Sequence, residues 1–102
     1  MIRLALSFDI DEEELRDMVR ISSKELDDEL LNLKDAFLMD LSRSGVQVLP
    51  PDTSLVRAAL RTYLRWQMNY GGEEAAERYH QHYLEARHDM SLASEYKAGD
   101  WP

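Results

Sequence analysis

Apolar residues recur at intervals of three and four along much of this chain, the spacing that places side chains on one face of an α-helix. In residues 11–20, Leu15, Met18 and Val19 share such a face. Acidic residues fill the first turn of this segment, where the helix dipole favours negative charge. The pattern predicts a short first helix.

A second, longer helix is predicted over residues 25–42. Its start has the sequence of a capping box, in which Ser22 would cap the helix and Glu25 would reach back to the cap. Gly45 follows as a stop signal, because glycine readily adopts the left-handed conformation that ends helices. The apolar face consists of Leu26, Leu30, Leu33, Phe37 and Leu41, widened by Leu31 and Leu38.

Two more helices follow a loop that contains two prolines. The third is predicted over residues 54–70, with Asp52 or Thr53 as its cap and Gly71 just after its end. The fourth is predicted over residues 73–90 and opens with glutamates. The two apolar faces are Val56, Ala59, Leu60, Tyr63 and Trp66 or Gln67 in the third helix, and Ala76, Tyr79, Tyr83, Ala86 and Met90 in the fourth.

These elements predict an all-α protein: a small bundle of about four helices with extended N- and C-terminal segments. Residues 1–90 are expected to form a single bundle domain. Residues 91–102 are small and polar, and are expected to form a flexible C-terminal tail that orders on a partner. Tyr96 and Trp101 are the large aromatic residues of this tail and therefore candidate partner anchors.

The amino-acid composition supports the predicted helices and limits the classes of molecule that the protein can bind. Leucine and alanine total 24 residues, against nine valines, isoleucines and threonines. The net charge of −8 repels nucleic-acid phosphate and anionic lipid, and the lack of cysteine excludes disulfides and thiol chemistry. The N-terminal apolar run is too short for a signal peptide or a membrane span, so we expect a soluble, unexported protein.

Two Glu-x-x-His motifs in the fourth helix have a spacing that di-iron helical bundles use. They are Glu77 with His80 and Glu85 with His88. Because both lie on one helix about 12 Å apart, a single site cannot use both within one chain, and a solvated polar face is the favoured interpretation. No nucleophile motif or phosphate-binding loop occurs in the sequence, so we expect no catalytic residue, cofactor or metal.

Charge is distributed unevenly along the chain. Residues 1–45 hold twelve acids and six bases, whereas residues 53–72 hold Arg57, Arg61 and Arg65 and no acid. Spaced at four, these arginines line one edge of the third helix. They could meet an acidic edge of a neighbouring copy, bind nucleic-acid phosphate, or pair with acids of the second helix. Those acids are Asp27, Asp28, Glu29 and Asp35.

The order of these features is distinctive. The short acidic helix leads to Ser22-Ser-Lys-Glu-Leu-Asp-Asp-Glu-Leu-Leu31 with Phe37 and Leu41, and the loop Leu49-Pro-Pro-Asp52 leads to Leu55-Val-Arg-Ala-Ala-Leu-Arg-Thr-Tyr-Leu64. Over about residues 9–96, this order resembles the head-tail connector, or adaptor, proteins of long-tailed bacteriophages. The resemblance consists of apolar spacing and turn chemistry, without a catalytic signature.

This resemblance implies a virion protein that is not an enzyme. It would assemble as a ring, expected to be twelve-fold, on the portal protein after DNA packaging and extend the DNA channel toward the stopper and tail. Double-stranded DNA would pass an acidic lining without specific binding. The protein would occur in the virion, and in the host cytoplasm during assembly. The expected subunit or partner contacts are Arg57, Arg61, Arg65, Tyr96 and Trp101.

An alternative of a different class is a small acidic regulator or DNA mimic that occupies a basic groove of a nucleic-acid enzyme. It would be a stable monomer, and its binding would weaken steeply with salt.

Overall fold

A computed structural model describes residues 6–98 of the chain. In that range the chain forms four α-helices and no strand, so the predicted all-α bundle is confirmed. The helices are α1 (Glu12–Met18), α2 (Asp27–Arg43), α3 (Ser54–Gln67) and α4 (Glu73–Leu92), followed by one 3-10 turn (Ser94–Tyr96). Within the described part, no helix has the length and apolar character needed to cross a bilayer.

Three helices end through a left-handed residue, as the sequence predicts for α2; after α1 this residue is Arg20, with a φ of 57°. Gly45 has a φ of 105°, and the amide of Val46 donates to the carbonyl oxygen of Leu41 at 3.0 Å, which is the bond of a Schellman motif. The end of α3 comes earlier than expected. Asn69, with a φ of 54°, takes the left-handed conformation two residues before Gly71.

The predicted capping box before α2 is wrong. Ser23 makes the local hydrogen bond instead of Ser22, accepting from the amide of Glu25 at 3.2 Å. The amide of Asp27 then donates to the carbonyl oxygen of Lys24 at 3.2 Å, so a turn precedes the helix. Serine side chains favour such turns as readily as caps, and the helix therefore begins two residues later than predicted.

The apolar faces of the helices meet in one core. Phe37 of α2, Tyr63 of α3 and Tyr83 of α4 lie with ring centroids 5.0–6.0 Å apart. Such tilted and edge-on contacts stabilise aromatic clusters beyond the area that they bury. α3 and α4 form an antiparallel pair, and α1 packs across α2 and α3 with Leu15 and Val19 buried.

The C-terminal segment packs on the bundle as far as the structure describes it, in contrast to the flexible tail expected over 91–102. Tyr96 is only 2% exposed. Its carbonyl oxygen accepts from the amides of Gln47 at 2.8 Å and Val48 at 3.2 Å, which ties the segment to the loop after α2. The sequence did not predict this packing, because a single buried aromatic residue in a polar segment gives no periodic pattern.

Candidate functional site

The predicted arginine edge of α3 faces α1. Arg57 forms an ion pair with Glu14, and its guanidinium also donates to the carbonyl oxygen of Asp9 at 2.6 Å and to the hydroxyl of Thr53 at 3.2 Å. Arg57 therefore pairs within the chain, but with an acid of α1 and not with the acids of α2 considered from the sequence.

Arg65 joins the end of α1 to the α3–α4 pair. Its Nε donates to the carbonyl oxygen of Met18 at 2.7 Å, and its Nη1 donates to the hydroxyl of Tyr79 at 3.1 Å. The guanidinium carbon also lies 4.6 Å from the ring centroid of Tyr70. A cation at a helix C-terminus and over an aromatic face is stabilised by both. Arg65 thus acts as an internal clamp.

Arg61 is the one predicted contact residue that remains both exposed and unpaired within residues 6–98. It is exposed and lies in a groove between α1 and α3 beside Asp17 and Arg20, and it forms no ion pair within residues 6–98. Tyr96 is buried and could not anchor a partner without leaving the core. Trp101 lies outside the described residues.

The Glu-x-x-His pairs do not converge on a metal site. No group of three or more histidine or acidic side chains within residues 6–98 is placed to hold a metal ion. The ring of His80 stacks on Trp66 with centroids 3.8 Å apart, and its Nδ1 lies 3.8 Å from the carboxylate of Glu77. Glu85 and His88 are exposed.

A polar cluster between α2 and α4 was not foreseen from the sequence. The Oδ2 atom of Asp40 accepts from the Tyr83 hydroxyl and from Nη1 of Arg87, the latter at 2.9 Å. Burial, reinforced by the bond to Asp40, raises the pKa of Tyr83 well above its usual value. One signal was available: Asp40 is a carboxylate between the core positions Phe37 and Leu41.

This cluster forms one wall of a half-open pocket of about 310 Å³ between α2, α3 and α4, which we call the basic pocket. Its polar and aromatic lining includes Asp40, Arg43, Trp66, Gln67, His80 and Arg87. Two guanidiniums, of Arg43 and Arg87, stand against the single carboxylate of Asp40 in this lining. The lining of this pocket thus has an excess of basic side chains, in contrast to the net charge of −8 of the chain.

Comparison with protein-family models, curated proteins and solved structures finds no match to this chain. The fold, the charge distribution and the basic pocket are thus the observations that bear on function.

Proposed function

We propose that this protein is a structural adaptor of the bacteriophage head-tail connector. It assembles as a ring under the portal protein after DNA packaging and extends the DNA channel toward the stopper and tail. The observation that carries the proposal is the order of the elements. The segments on which the resemblance rests contribute to α1, α2 and α3 in succession, although residues 22–26 lie before α2.

The surface charge supports this role. Asp28 and Glu29 of α2 and Glu73 and Glu74 of α4 are all exposed, and each lies in the first turn of its helix. Exposed carboxylates repel DNA phosphates and release no counterions to them, so DNA can move past without being held. The role requires docking surfaces and no catalytic group.

The experiment is co-sedimentation of the purified protein with portal rings of long-tailed phages. We expect the protein to pellet with the rings at a fixed ratio near one copy per portal subunit. Arg61→Glu tests the one accessible arginine of the predicted edge, and Arg78→Glu, an exposed arginine on α4, is its matched control. Failure to bind any portal would contradict the proposal.

The structure changes how a tail contact is tested. Removing residues 91–102 would take Tyr96 out of the core and confound binding with folding. Truncation after Ala98 removes the terminal residues alone. If these residues contact the portal, the truncated protein stays folded and binds the rings more weakly. The alternative, a small acidic regulator, predicts instead a monomer that does not bind portal rings. It would bind a basic nucleic-acid enzyme with an affinity that falls as salt is added.

A further inference from the structure

We propose that the basic pocket receives the acidic first turn of α1 from a second copy of this chain. This turn comprises Asp11, Glu12 and Glu13, and we call it the acidic turn. The proposal rests on the ring assembly proposed above and names the contact that would join neighbouring subunits.

The basic pocket has more hydrogen-bond donors than acceptors. Asp40 is its one carboxylate, and its Oδ2 atom already accepts from Tyr83 and Arg87. Arg87 uses one N–H in that bond and keeps others for a second acceptor. Arg43 is exposed and forms no ion pair within residues 6–98. An incoming carboxylate would therefore meet two guanidiniums beside the indole of Trp66.

The acidic turn has the opposite imbalance. It lines a groove on α1 and α2 together with Arg16, Lys24 and Asp27. Arg16 is already paired with Asp27 at 2.6 Å, which leaves Lys24 as the remaining cation of that groove. Glu12 and Glu13 are exposed, so their carboxylates can reach a partner.

One chain cannot make this contact with itself. The acidic turn lies beside Asp27 at the start of α2, whereas Arg43 is the last residue of α2. Arg43 lies sixteen positions after Asp27, which corresponds to about 24 Å of helix. The two surfaces therefore sit at opposite ends of α2. Complementary patches at different places on one molecule give a head-to-tail contact, which closes into a ring when its rotation permits.

Cross-linking tests the contact without a portal. The chain has no cysteine, so an introduced pair is the sole reactive pair. The variant with Lys24→Cys, in the groove of the acidic turn, and Gln67→Cys, in the basic pocket, keeps the acids of the turn and both guanidiniums. It should give a ladder of multimers with a short bis-maleimide at about 10 mM salt, where charges act over about 30 Å. The ladder should fade at high salt. The matched control, Lys24→Cys with Arg78→Cys, places its second cysteine at an exposed arginine outside the pocket. No ladder, or equal ladders in both, would overturn the proposal.

Charge reversal supplies a second measurement, by sedimentation equilibrium. Arg43→Glu and Glu13→Arg should each weaken self-association about fivefold, the effect of one strong exposed ion pair. Combining both in one chain should restore part of it, because the pair at these two positions again joins opposite charges. Thermal melting checks that each variant is folded. Failure of the double variant to recover would count against the contact.

The portal assay separates this proposal from the proposed function. If the wild-type protein binds portals and Arg43→Glu binds equally well, the adaptor role stands and the contact is wrong. If the cross-linked ladder forms but no portal is bound, the contact stands and the adaptor role is wrong.

Discussion

Replacing Tyr96 by alanine should destabilise the whole bundle, although this residue lies in a polar segment near the C-terminus. The side chain is 2% exposed and belongs to the same core cluster as Phe37 and Leu41. Truncating a buried aromatic side chain to alanine costs about 3–5 kcal/mol, through lost burial and the cavity left behind. Domains of this size have a total stability of about 5–15 kcal/mol, so the expected loss is a large share of it.

The measurement is urea denaturation followed by circular dichroism, supported by thermal melting. A loss of 3 kcal/mol should lower the melting temperature by at least about 12 °C for a domain of this length. Tyr96→Phe is the matched control. It keeps the ring, and the Tyr96 hydroxyl makes no hydrogen bond within residues 6–98, so this change should cost less than about 1 kcal/mol.

The result that would refute this reasoning is a Tyr96→Ala protein within about 0.5 kcal/mol of the wild type, the range of ordinary surface substitutions. Residues 94–98 would then not be docked on the loop after α2. The flexible tail expected from composition alone would be the better description.

Three further predictions concern contacts between residues of the bundle. Above pH 10, Tyr83 ionises in the unfolded chain but not in the folded one, where its pKa is raised, so the free energy of unfolding should fall by up to about 1.4 kcal/mol per pH unit. Denaturation curves recorded at several pH values should show a shallower fall for Tyr83→Phe. Equal slopes for the variant and the wild type would contradict the burial of the hydroxyl. Arg65→Lys should lower the free energy of unfolding by about 1–3 kcal/mol, because the single ammonium group of lysine cannot donate to both Met18 and Tyr79 as the planar guanidinium does. A double-mutant cycle on Glu14 and Arg57 should give a coupling below about 1 kcal/mol that shrinks with salt, and a larger, salt-insensitive value would mean that the pair is buried.

The helices could be predicted because their apolar residues are periodic and local. Tyr83 and Met90, assigned to one face of the fourth helix from spacing alone, are both fully buried. The helix ends were less predictable. Ser22 and Ser23 can each form a cap or a turn, and the choice depends on where α2 packs, which no local pattern records.

The candidate site was harder to predict because its contacts join distant parts of the chain. Asp40 and Arg87 are 47 residues apart, and their pairing follows from α2 lying beside α4. The arginine edge of α3 was visible in the sequence, but its partners on α1 were not. The sequence does not distinguish the acidic residues of α1 from those of α2 as partners for Arg57. The packing of the helices determines that Arg57 pairs with Glu14.

The structure reverses the roles that the sequence suggested for the arginines. The regular edge on α3 stabilises the fold, since Arg57 pairs with Glu14 of α1 and Arg65 donates to the carbonyl oxygen of Met18 at the end of α1. Arg43 and Arg87, which belong to no obvious pattern, line the pocket with a single carboxylate, that of Asp40. A contact built on them is weak by itself, because screened charges must offset the entropy of association. A subunit of this kind would stay monomeric when dilute and close into a ring when a template holds its copies side by side. That is the behaviour that the proposed adaptor requires, because a ring should form on the portal and not before it.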